Sequence, residues 1–518
     1  MTCSFKIRPI DIQTLCIILA SMRPSKSTGT DGVSISMIQK FFYGIGFPLL
    51  DTINSSIITG SVPKGWKHAL VTPIPKGKVT AEPSDTRPIS ILPAITKLIE
   101  RVVQEQLTHY LEEHKLLSDA QHGYRKHHST ESALHVITDA ALQAMQKGEI
   151  SILVLLDLSK CFDVVPHSKL LNKLNLYGIE TDWFRSYLEG HTQQVQMRGM
   201  KSNTRDNNIG VYQGGSLSCL LYMLYANDLS LCVGSDVTVV QYADDTQILV
   251  SGKKRDLQTV ITRMQTALNS MYQWFCQNGM KLNAQKTKML VLGTPAMLRN
   301  MPPVTVNFCG ATIPDSRVVQ NLGLHMDRHL NYQSHIDALS RKCTGVLLAL
   351  SHARHVIPRA AFKAIVEALV LSIVRYCLSI YGSSGNVQIH RVQKIVNFAA
   401  RVVTGRRRYD HVSDAIVQLG WMTADQLVHY HTLTAVNRTL MTGLPAYMRE
   451  TIGPRANAVH SHGTRNANRW TLPQIRCEAG RRRLCYRGVS MLNEIDIEPC
   501  TTYFRHDLKV AILHRGTE

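Results

Sequence analysis

The sequence lacks the features of a membrane protein or a secreted protein. No stretch approaches the roughly 20 consecutive apolar residues of a membrane-spanning helix. No secretory signal stands at the N-terminus, where the apolar run 15–20 is short. The 12 cysteines form no CxxC pair and are typical of the reduced, mostly buried thiols of an intracellular protein. These absences predict a protein of the nucleus or cytoplasm that does not bind a membrane.

Internal repeats and low-complexity linkers are also absent. Cys477, Cys485, Cys500 and His506 could supply a zinc site, but their spacing fits no common zinc-binding pattern. The hydrophobic content of 44% is ample for packed cores, and the length predicts about three domains.

Positive charge is abundant and unevenly distributed. The formal net charge is +20, and residues 336–518 contain 25 Lys plus Arg against 12 Asp plus Glu. Of those 25 positive residues, 21 are Arg, whose planar guanidinium suits two parallel hydrogen bonds to a phosphate. This pattern indicates a nucleic-acid partner. A membrane surface is the alternative, although no long basic amphipathic helix supports it.

Two adjacent carboxylates, Asp244 and Asp245, lie between two apolar, β-branched runs at 239–241 and 246–250. Such a pattern predicts a strand, a tight turn and a second strand. Two like charges at a turn are costly unless a cation neutralises them, and carboxylates suit a divalent metal ion. An ordinary polar hairpin turn is the alternative.

A third carboxylate, Asp157, follows the apolar run 152–156, which is too short to span a membrane and predicts a buried strand. Asp157 could face the Asp244–Asp245 turn from a neighbouring strand. Three carboxylates meeting at one point would hold two metal ions, as in-line phosphoryl transfer requires. Alternatively, Asp157 only caps the turn at 159–163.

An ordered set of segments resembles the conserved motifs of reverse transcriptases from non-LTR (LINE-like) retrotransposons. The segments that resemble the finger motifs are 28–32, 73–76, 87–92, 121–125 and 129–130. The segments that resemble motifs A to E are 155–163, 210–218, 242–245, 282–288 and 321–325. Further similarity follows at 399–405, 410–412, 419–421 and 504–509. The order and spacing match along nearly the whole chain, so the resemblance is specific.

The resemblance implies an α+β fold of the right-hand polymerase type with a helical, basic C-terminal region. The implied parts are fingers at 1–150, palm at 151–335, thumb at 336–450 and a C-terminal basic region at 451–518, with the core motifs of the reverse transcriptase domain in 57–327. Apolar spacing predicts helices at 95–111 and 256–279, and in the thumb at 336–353, 360–381 and 391–405.

The implied activity is that of an RNA-directed DNA polymerase, a nucleotidyltransferase that copies RNA into cDNA. The implied partners are an RNA template, a DNA primer and deoxynucleoside triphosphates (dNTPs). The alternative is a catalytically weak or exapted RNA- or DNA-binding protein derived from such an element. Related elements usually carry an endonuclease domain ahead of the fingers, so we expect a fragment or truncated copy that relies on a nuclease in trans.

The resemblance assigns the metal ligands and one general acid. Asp157, Asp244 and Asp245 would hold Mg²⁺ or Mn²⁺, with Asp157 and Asp244 as the main ligands. Lys286 would protonate the leaving pyrophosphate, and a surface lysine is the alternative interpretation. Lys78 is a further candidate for contacting the triphosphate.

Five other residues would hold the dNTP by resemblance: Lys76, Arg87, Phe162, Gln213 and Gly214. Lys76 and Arg87 would clamp the triphosphate, unless they belong to a solvated basic loop. Phe162 would stack under the sugar and exclude a 2′-OH, unless it only packs in the palm. Gln213 and Gly214 would frame the nucleotide and the template base, because glycine permits close backbone approach.

The segment that resembles motif B departs from the usual pattern at three positions. Tyr212 and Cys219 stand where Pro is usual, and Gly215 stands where Ser is usual. Gly215 adds backbone freedom at a site that should be rigid. The carboxylates are intact, so the chemistry is plausible, while efficient turnover is less secure.

A dense arginine run follows the last predicted thumb helix. Arg406, Arg407 and Arg408, together with Arg401 on that helix, are predicted to contact nucleic acid.

Overall fold

Helices and strands are interspersed along the chain, which confirms the predicted α+β class. The computed structural model describes residues 4–77, 82–455, 469–495 and 497–514. Its strands are β1 (His68–Pro75), β2 (Thr86–Ile91), β3 (Glu149–Leu156), β4 (Leu158–Ser159), β5 (Thr192–Met197), β6 (Met200–Lys201), β7 (Arg205–Asp206), β8 (Thr238–Tyr242), β9 (Asp245–Lys253), β10 (Lys281–Leu282), β11 (Lys288–Leu292), β12 (Thr305–Phe308), β13 (Ala311–Ser316), β14 (Val318–Asn321) and β15 (Leu324–Asp327).

The helices of the described residues include long amphipathic helices and several short ones. They are α1 (Ile12–Ser21), α2 (Ile35–Thr59), α3 (Ala94–Glu113), α4 (Thr130–Gln146), α5 (His167–Leu176), α6 (Asp182–Leu188), α7 (Ser216–Tyr225), α8 (Leu257–Gln277), α9 (Pro295–Leu298), α10 (Gln333–Ala353), α11 (Arg359–Val366), α12 (Ser372–Arg375), α13 (Leu378–Tyr381), α14 (Asn386–Thr404), α15 (Ser413–Gln418), α16 (Ala424–Thr442), α17 (Ala446–Thr451), α18 (Glu478–Arg482), α19 (Leu484–Glu494) and α20 (Phe504–His514). None of the helices in the described ranges is both long and apolar enough to cross a lipid bilayer.

The chain divides into two compact units, each discontinuous in sequence. The described residues of Met1–Tyr124, Asp157–Val233 and Asn269–Asn283 form the first unit. Those of Arg125–Leu156, Gly234–Leu268 and Ala284–Glu518 form the second unit. The contiguous boundaries of fingers, palm, thumb and C-terminal region stay predictions.

The first unit contains a mixed sheet in the order β2-β1-β5-β6, with β7 also paired to β5. Strand β1 is antiparallel to β2 and parallel to β5. Helix α3 covers the predicted helical range 95–111, and its buried residues Leu98, Ile99, Val102 and Val103 recur at helical spacing. This apolar stripe packs α3 against α7.

The second unit contains a six-stranded sheet in the order β12-β13-β11-β3-β9-β8. Strand β3 lies between β11 and β9 and is antiparallel to both. Its residues Ile152, Leu153 and Val154 are fully buried, and helix α4 packs against it through a core that includes Leu134 and Ile137. Because the strand is covered on its faces and paired on its edges, it reads as a continuous apolar run, as predicted.

Helices α10 and α14 cover the predicted thumb ranges 336–353 and 391–405. The prediction of one continuous helix at 360–381 is wrong. A π-helical segment at Glu367–Leu371 follows α11, and Cys377 adopts a left-handed φ of 55° before α13. Val370 in the π-helical segment, Val374 before Cys377 and Leu378 after it are all buried.

Three arginines of the predicted C-terminal basic region point into the second unit. Arg483 forms an ion pair of 2.8 Å with Asp139, and the two side chains are 10% and 6% exposed. Arg482 donates to the carbonyl of Ser383 at 3.0 Å, and Arg487 donates to the carbonyl of Ser379. These three arginines contribute to the positive charge that predicted a nucleic-acid partner. They instead hold the C-terminal helices against the core.

We expect Arg483→Ala to lower the free energy of unfolding by about 3–5 kcal/mol, because it leaves the buried Asp139 carboxylate without its partner. Urea denaturation followed by circular dichroism measures the loss. Arg481→Ala is the matched control, since Arg481 is 66% exposed and lies 3.9 Å from Glu478. We expect the control to shift stability by about 0.5 kcal/mol or less. Equal midpoints for the two variants would contradict the assignment.

Candidate active site

The β8–β9 hairpin carries Asp244 and Asp245 at its tip, which confirms the predicted strand, turn and strand. Tyr242 pairs with Asp245, so Ala243 and Asp244 are the two loop residues. Ala243 is 8% exposed and has a φ of 56°. A non-glycine residue in this left-handed region costs about 1–2 kcal/mol. Such conformations cluster at functional sites, and here Asp244 is partly exposed and Asp245 is exposed.

The carboxyl end of β3 lies beside this hairpin. Leu156, the last residue of β3, pairs with Thr246 of β9, and Asp157 is the residue bonded to Leu156 in the chain. The carbonyl of Asp157 accepts a hydrogen bond from the Asn283 N–H at 3.0 Å, next to the β4–β10 ladder. The turn that follows is closed by a bond from the Asp163 N–H to the carbonyl of Lys160.

Metal binding was predicted for the three carboxylates. Among residues 4–77, 82–455, 469–495 and 497–514, no three or more Asp, Glu, His or Cys side chains lie close enough together to form a metal site. The zinc alternative at the C-terminal cysteines and His506 therefore has no geometric support. The assignment of Asp157, Asp244 and Asp245 as metal ligands stays a prediction.

Phe162 and Gln213 lie together in the first unit. The Val211 N–H donates to the carbonyl of Phe162 at 2.7 Å. The Gln213 amide donates to Asp163 Oδ1 at 2.8 Å. The ring of Phe162 stacks on Tyr222 with 4.7 Å between centroids and 26° between planes. Phe162 is therefore packed on one ring, and it is also partly exposed.

Asp163 is a site residue that the sequence interpretation missed. Burial raises the pKa of its carboxyl, while the Gln213 hydrogen bond and the positive charges of Lys160 and Lys76 oppose the rise. Asp163 therefore holds the Gln213 amide in place. It also interacts electrostatically with Lys76, which is predicted to bind the triphosphate. Its place beside Phe162 in the motif A segment was the available signal.

Gly214 is required by the backbone of its loop. Its φ is 115°, and a Cβ atom there would lie 3.0 Å from the carbonyl oxygen of Ser90. The Ser90 N–H donates to the carbonyl of Gln213 at 2.9 Å. The loop thus runs directly against β2, which a larger residue would prevent.

Arg87 lies on β2 and Lys76 directly follows the last residue of β1, and both are exposed. Arg87 pairs with Ile74, and the Lys76 N–H donates to the carbonyl of Asp85 at 2.8 Å. Because side chains alternate along a strand, residue 76 continues the face that Ile74 shares with Arg87. Lys78 lies outside the described residues.

Comparison with known proteins decides the class of this site. Residues 74–326 match the family model described as reverse transcriptase (RNA-dependent DNA polymerase). Just under half of this chain is therefore similar to a reverse transcriptase domain. Reverse transcriptase domains are nucleotidyltransferases and generally use divalent metal ions, and the mixed helices and sheets described above agree with a right-hand polymerase fold.

Several relatives come from insect mobile elements. The chain is 27% identical over 447 residues to the probable RNA-directed DNA polymerase from transposon BS of Drosophila melanogaster, which covers 83% of this chain and 48% of the relative. It is 27% identical over 377 residues to the RNA-directed DNA polymerase from mobile element jockey of the same species, covering 70% and 40%. It is 28% identical over 298 residues to the retrovirus-related Pol polyprotein from the type-1 retrotransposable element R2 of Popillia japonica, covering 54% and 39%.

The similarities confirm the predicted resemblance to reverse transcriptases of non-LTR retrotransposons. The chain spans about half the length, or less, of these curated relatives.

Two of the three departures in motif B, Tyr212 and Cys219, make contacts within the first unit. Tyr212 is buried, its hydroxyl donates to the carbonyl of Lys67 at 3.0 Å, and its ring meets His191 edge-on at 4.5 Å. Cys219 is partly buried, and burial raises the pKa of its thiol. Tyr212 therefore anchors the loop to the residue that precedes the first sheet's strand β1.

The predicted site residues fall into two sets, each within one compact unit. The first unit contains Lys76, Arg87, Asp157, Phe162, Gln213 and Gly214. The second unit contains Asp244, Asp245, Lys286, Arg401, Arg406, Arg407 and Arg408. Lys286 is exposed in the turn that precedes β11, where its role stays a prediction.

The arginine run after α14 is not uniform. Arg406 donates to Asp414 Oδ1 at 2.6 Å, and Arg401 donates to the carbonyl of Asp410 at 3.0 Å. Arg407 and Arg408 are exposed, and the Arg408 guanidinium lies 5.6 Å from the centre of the neighbouring tyrosine ring. Arg406 therefore differs from the two arginines that follow it, because its guanidinium is paired with a carboxylate of the same chain.

Proposed function

We propose that this chain is an RNA-directed DNA polymerase that extends a DNA primer on an RNA template. The primer 3′-OH attacks the α-phosphorus of a dNTP, the bond to pyrophosphate breaks, and the proton of the hydroxyl leaves. The observation that carries the proposal is the register of β3 and β9. Leu156, the residue before Asp157, pairs with Thr246, the residue that follows the Asp244–Asp245 turn. Primer extension with an RNA template, dNTPs and Mg²⁺ tests it.

In this proposal Asp157 and Asp244, assisted by Asp245, hold Mg²⁺ or Mn²⁺. A bound metal pair would lower the pKa of the primer hydroxyl and stabilise the leaving pyrophosphate. Carboxylate oxygens are the ligands that these ions prefer, and a hairpin tip with two adjacent carboxylates and an exposed side supports this assignment.

The dNTP is proposed to bind along the first-unit residues. Lys76 and Arg87 contact the triphosphate, Gln213 and Gly214 frame the base, and Phe162 lies against the sugar. These assignments are supported by the contacts of Asp163. Its carboxylate accepts a hydrogen bond from the Gln213 amide, and the positive charge of Lys76 opposes the rise of its pKa. Lys286 is proposed to protonate the pyrophosphate.

The setting of the reaction is also proposed. A nuclease acting in trans would supply the primer 3′-OH, and the protein would act in the nucleus or cytoplasm. The alternative of a decayed binding protein is not favoured, because Asp157, Asp244 and Asp245 are intact and Tyr212 in motif B is buried and hydrogen-bonded. A plasmid-nicking assay of the purified chain in Mg²⁺ tests the need for a separate nuclease.

Asp244→Asn is expected to abolish primer extension and to leave RNA binding nearly unchanged, because it removes a metal ligand without altering the basic surface. Extension and filter binding are measured side by side. Asp256→Asn is the control, since Asp256 is a half-exposed carboxylate away from the hairpin tip. Undiminished extension by Asp244→Asn would remove the metal assignment.

Phe162→Ala is expected to raise incorporation of ribonucleotides relative to dNTPs by about tenfold, because a shorter side chain leaves room for the 2′-OH. Competing single-nucleotide incorporations measure the ratio. Tyr222→Leu removes the ring stacked on Phe162 and should change the ratio much less. An unchanged ratio in Phe162→Ala would show that Phe162 is a packing residue.

Replacing Arg407 and Arg408 together by Ala is expected to weaken nucleic-acid binding and to flatten its salt dependence. Each lost phosphate contact should lower the slope of log K against log salt by about 0.7–0.9. Arg406→Ala is the matched control, because that guanidinium already pairs with Asp414, and its slope should match the wild type. Identical slopes for all three proteins would show that the run is only a solvated surface.

A further inference from the structure

Helix α7 begins at Ser216, directly after the motif B loop, and its N-cap residue has no side chain. The N-cap is Gly215, which makes no side-chain hydrogen bond to the first turn. Helix N-termini expose N–H groups that need acceptors, and Ser, Thr, Asp or Asn usually supplies one from the N-cap position. The acceptor for α7 must therefore come from elsewhere in the first unit.

Glu100 of α3 supplies that acceptor. Its side chain is fully buried (0% exposed), and Oε2 accepts the Ser216 N–H at 2.8 Å. Oε1 accepts the Tyr187 hydroxyl at 2.6 Å. Burial raises the pKa of the Glu100 carboxyl, and the bonds from Tyr187, Ser216 and the Leu217 N–H, with the charge of Lys97, oppose the rise. A carboxylate at a helix N-terminus also interacts favourably with the helix dipole.

The same carboxylate occupies the space that a side chain at position 215 would need. A Cβ atom on Gly215 would lie 3.0 Å from Glu100 Oε1, 3.2 Å from Oε2 and 2.7 Å from the Ser218 hydroxyl. Glu100 cannot move aside cheaply, because it is buried and tied by hydrogen bonds on both oxygens. A serine at position 215 and a glutamate at position 100 are thus alternative caps for α7, since a serine at 215 could cap the helix only if Glu100 were absent.

We propose that Glu100 is a positioning residue for the nucleotide pocket, which caps α7 from a distance and thereby fixes the Gln213–Gly214 loop. This inference rests on the proposed polymerase function, because the loop is placed there at the dNTP. It also accounts for Gly215 in the motif B segment as an adaptation to Glu100. A carboxylate on the apolar stripe of α3, between Ile99 and Val103, was the signal available in the sequence.

The decisive experiment is a double-mutant cycle on the KM for dNTP. Glu100→Ala and Gly215→Ser are each expected to raise KM about tenfold, with a smaller change in kcat, because each removes or obstructs the buried charge-assisted hydrogen bond from the Ser216 N–H to Glu100. In the double variant the carboxylate is gone and the Ser218 hydroxyl, 2.7 Å from a Cβ atom at position 215, can rotate away, so Ser at 215 can cap the helix and most of the loss should be recovered. Losses that multiply in the double variant would overturn the proposal.

Two further variants and one measurement without turnover keep the test independent of folding and of the proposed activity. Glu105→Ala removes an exposed carboxylate from the same helix and should show no coupling to Gly215→Ser. Glu100→Asp, which only withdraws the carboxylate, replaces Glu100→Ala in the cycle if the latter does not fold. Hydrogen exchange of the peptide 214–220 needs no turnover: the Ser216 amide should exchange about tenfold faster in Glu100→Ala. Unchanged exchange would overturn the cap itself, whereas absent extension by the wild type would overturn only the proposed function.

Discussion

The antiparallel pairing of β3 with β9 is the constraint on which the second unit depends. It aligns eight residues of β3 with β9, from Glu149 opposite Lys253 to Leu156 opposite Thr246. A shift of one residue would turn the buried side chains of β3 toward the opposite face of the sheet. Because Ile152, Leu153 and Val154 are buried on both faces of the sheet, the eight residue pairs rather than the polarity of the side chains define the register, and this register fixes where the chain leaves the sheet to reach Asp157.

In the first unit, the close approach of backbone segments to one another determines where the motif B loop lies. The motif B loop lies against β2 at Gly214 and against motif A at Gly210, where a Cβ atom would lie 2.7 Å from the carbonyl oxygen of Asp163. Side chains then fix the loop from outside: Asp163 holds Gln213, and Tyr212 holds the carbonyl of Lys67. The glycines allow the loop to approach its neighbours closely, and the hydrogen bonds of Gln213 and Tyr212 hold the loop in position.

The large positive charge has more than one physical role. Arg482, Arg483 and Arg487 stabilise the second unit from inside, where guanidinium groups satisfy backbone carbonyls and the Asp139 carboxylate. Other arginines, such as Arg406, pair with surface carboxylates. A count of charges along the sequence overstates the number of cations that face a polyanion, because it does not distinguish internal partners from solvent.

The sequence by itself determined the strand at 152–156, the Asp244–Asp245 hairpin, the amphipathic α3 and the family resemblance, because apolar periodicity and adjacent carboxylates are local signals. It did not determine the break at Cys377, where packing of a helical core overrides local spacing. It also did not reveal the roles of Asp163 or Glu100. Only the tertiary structure decided those, since each depends on partners 50 to 116 residues away in sequence that meet through the packing of separate helices and loops.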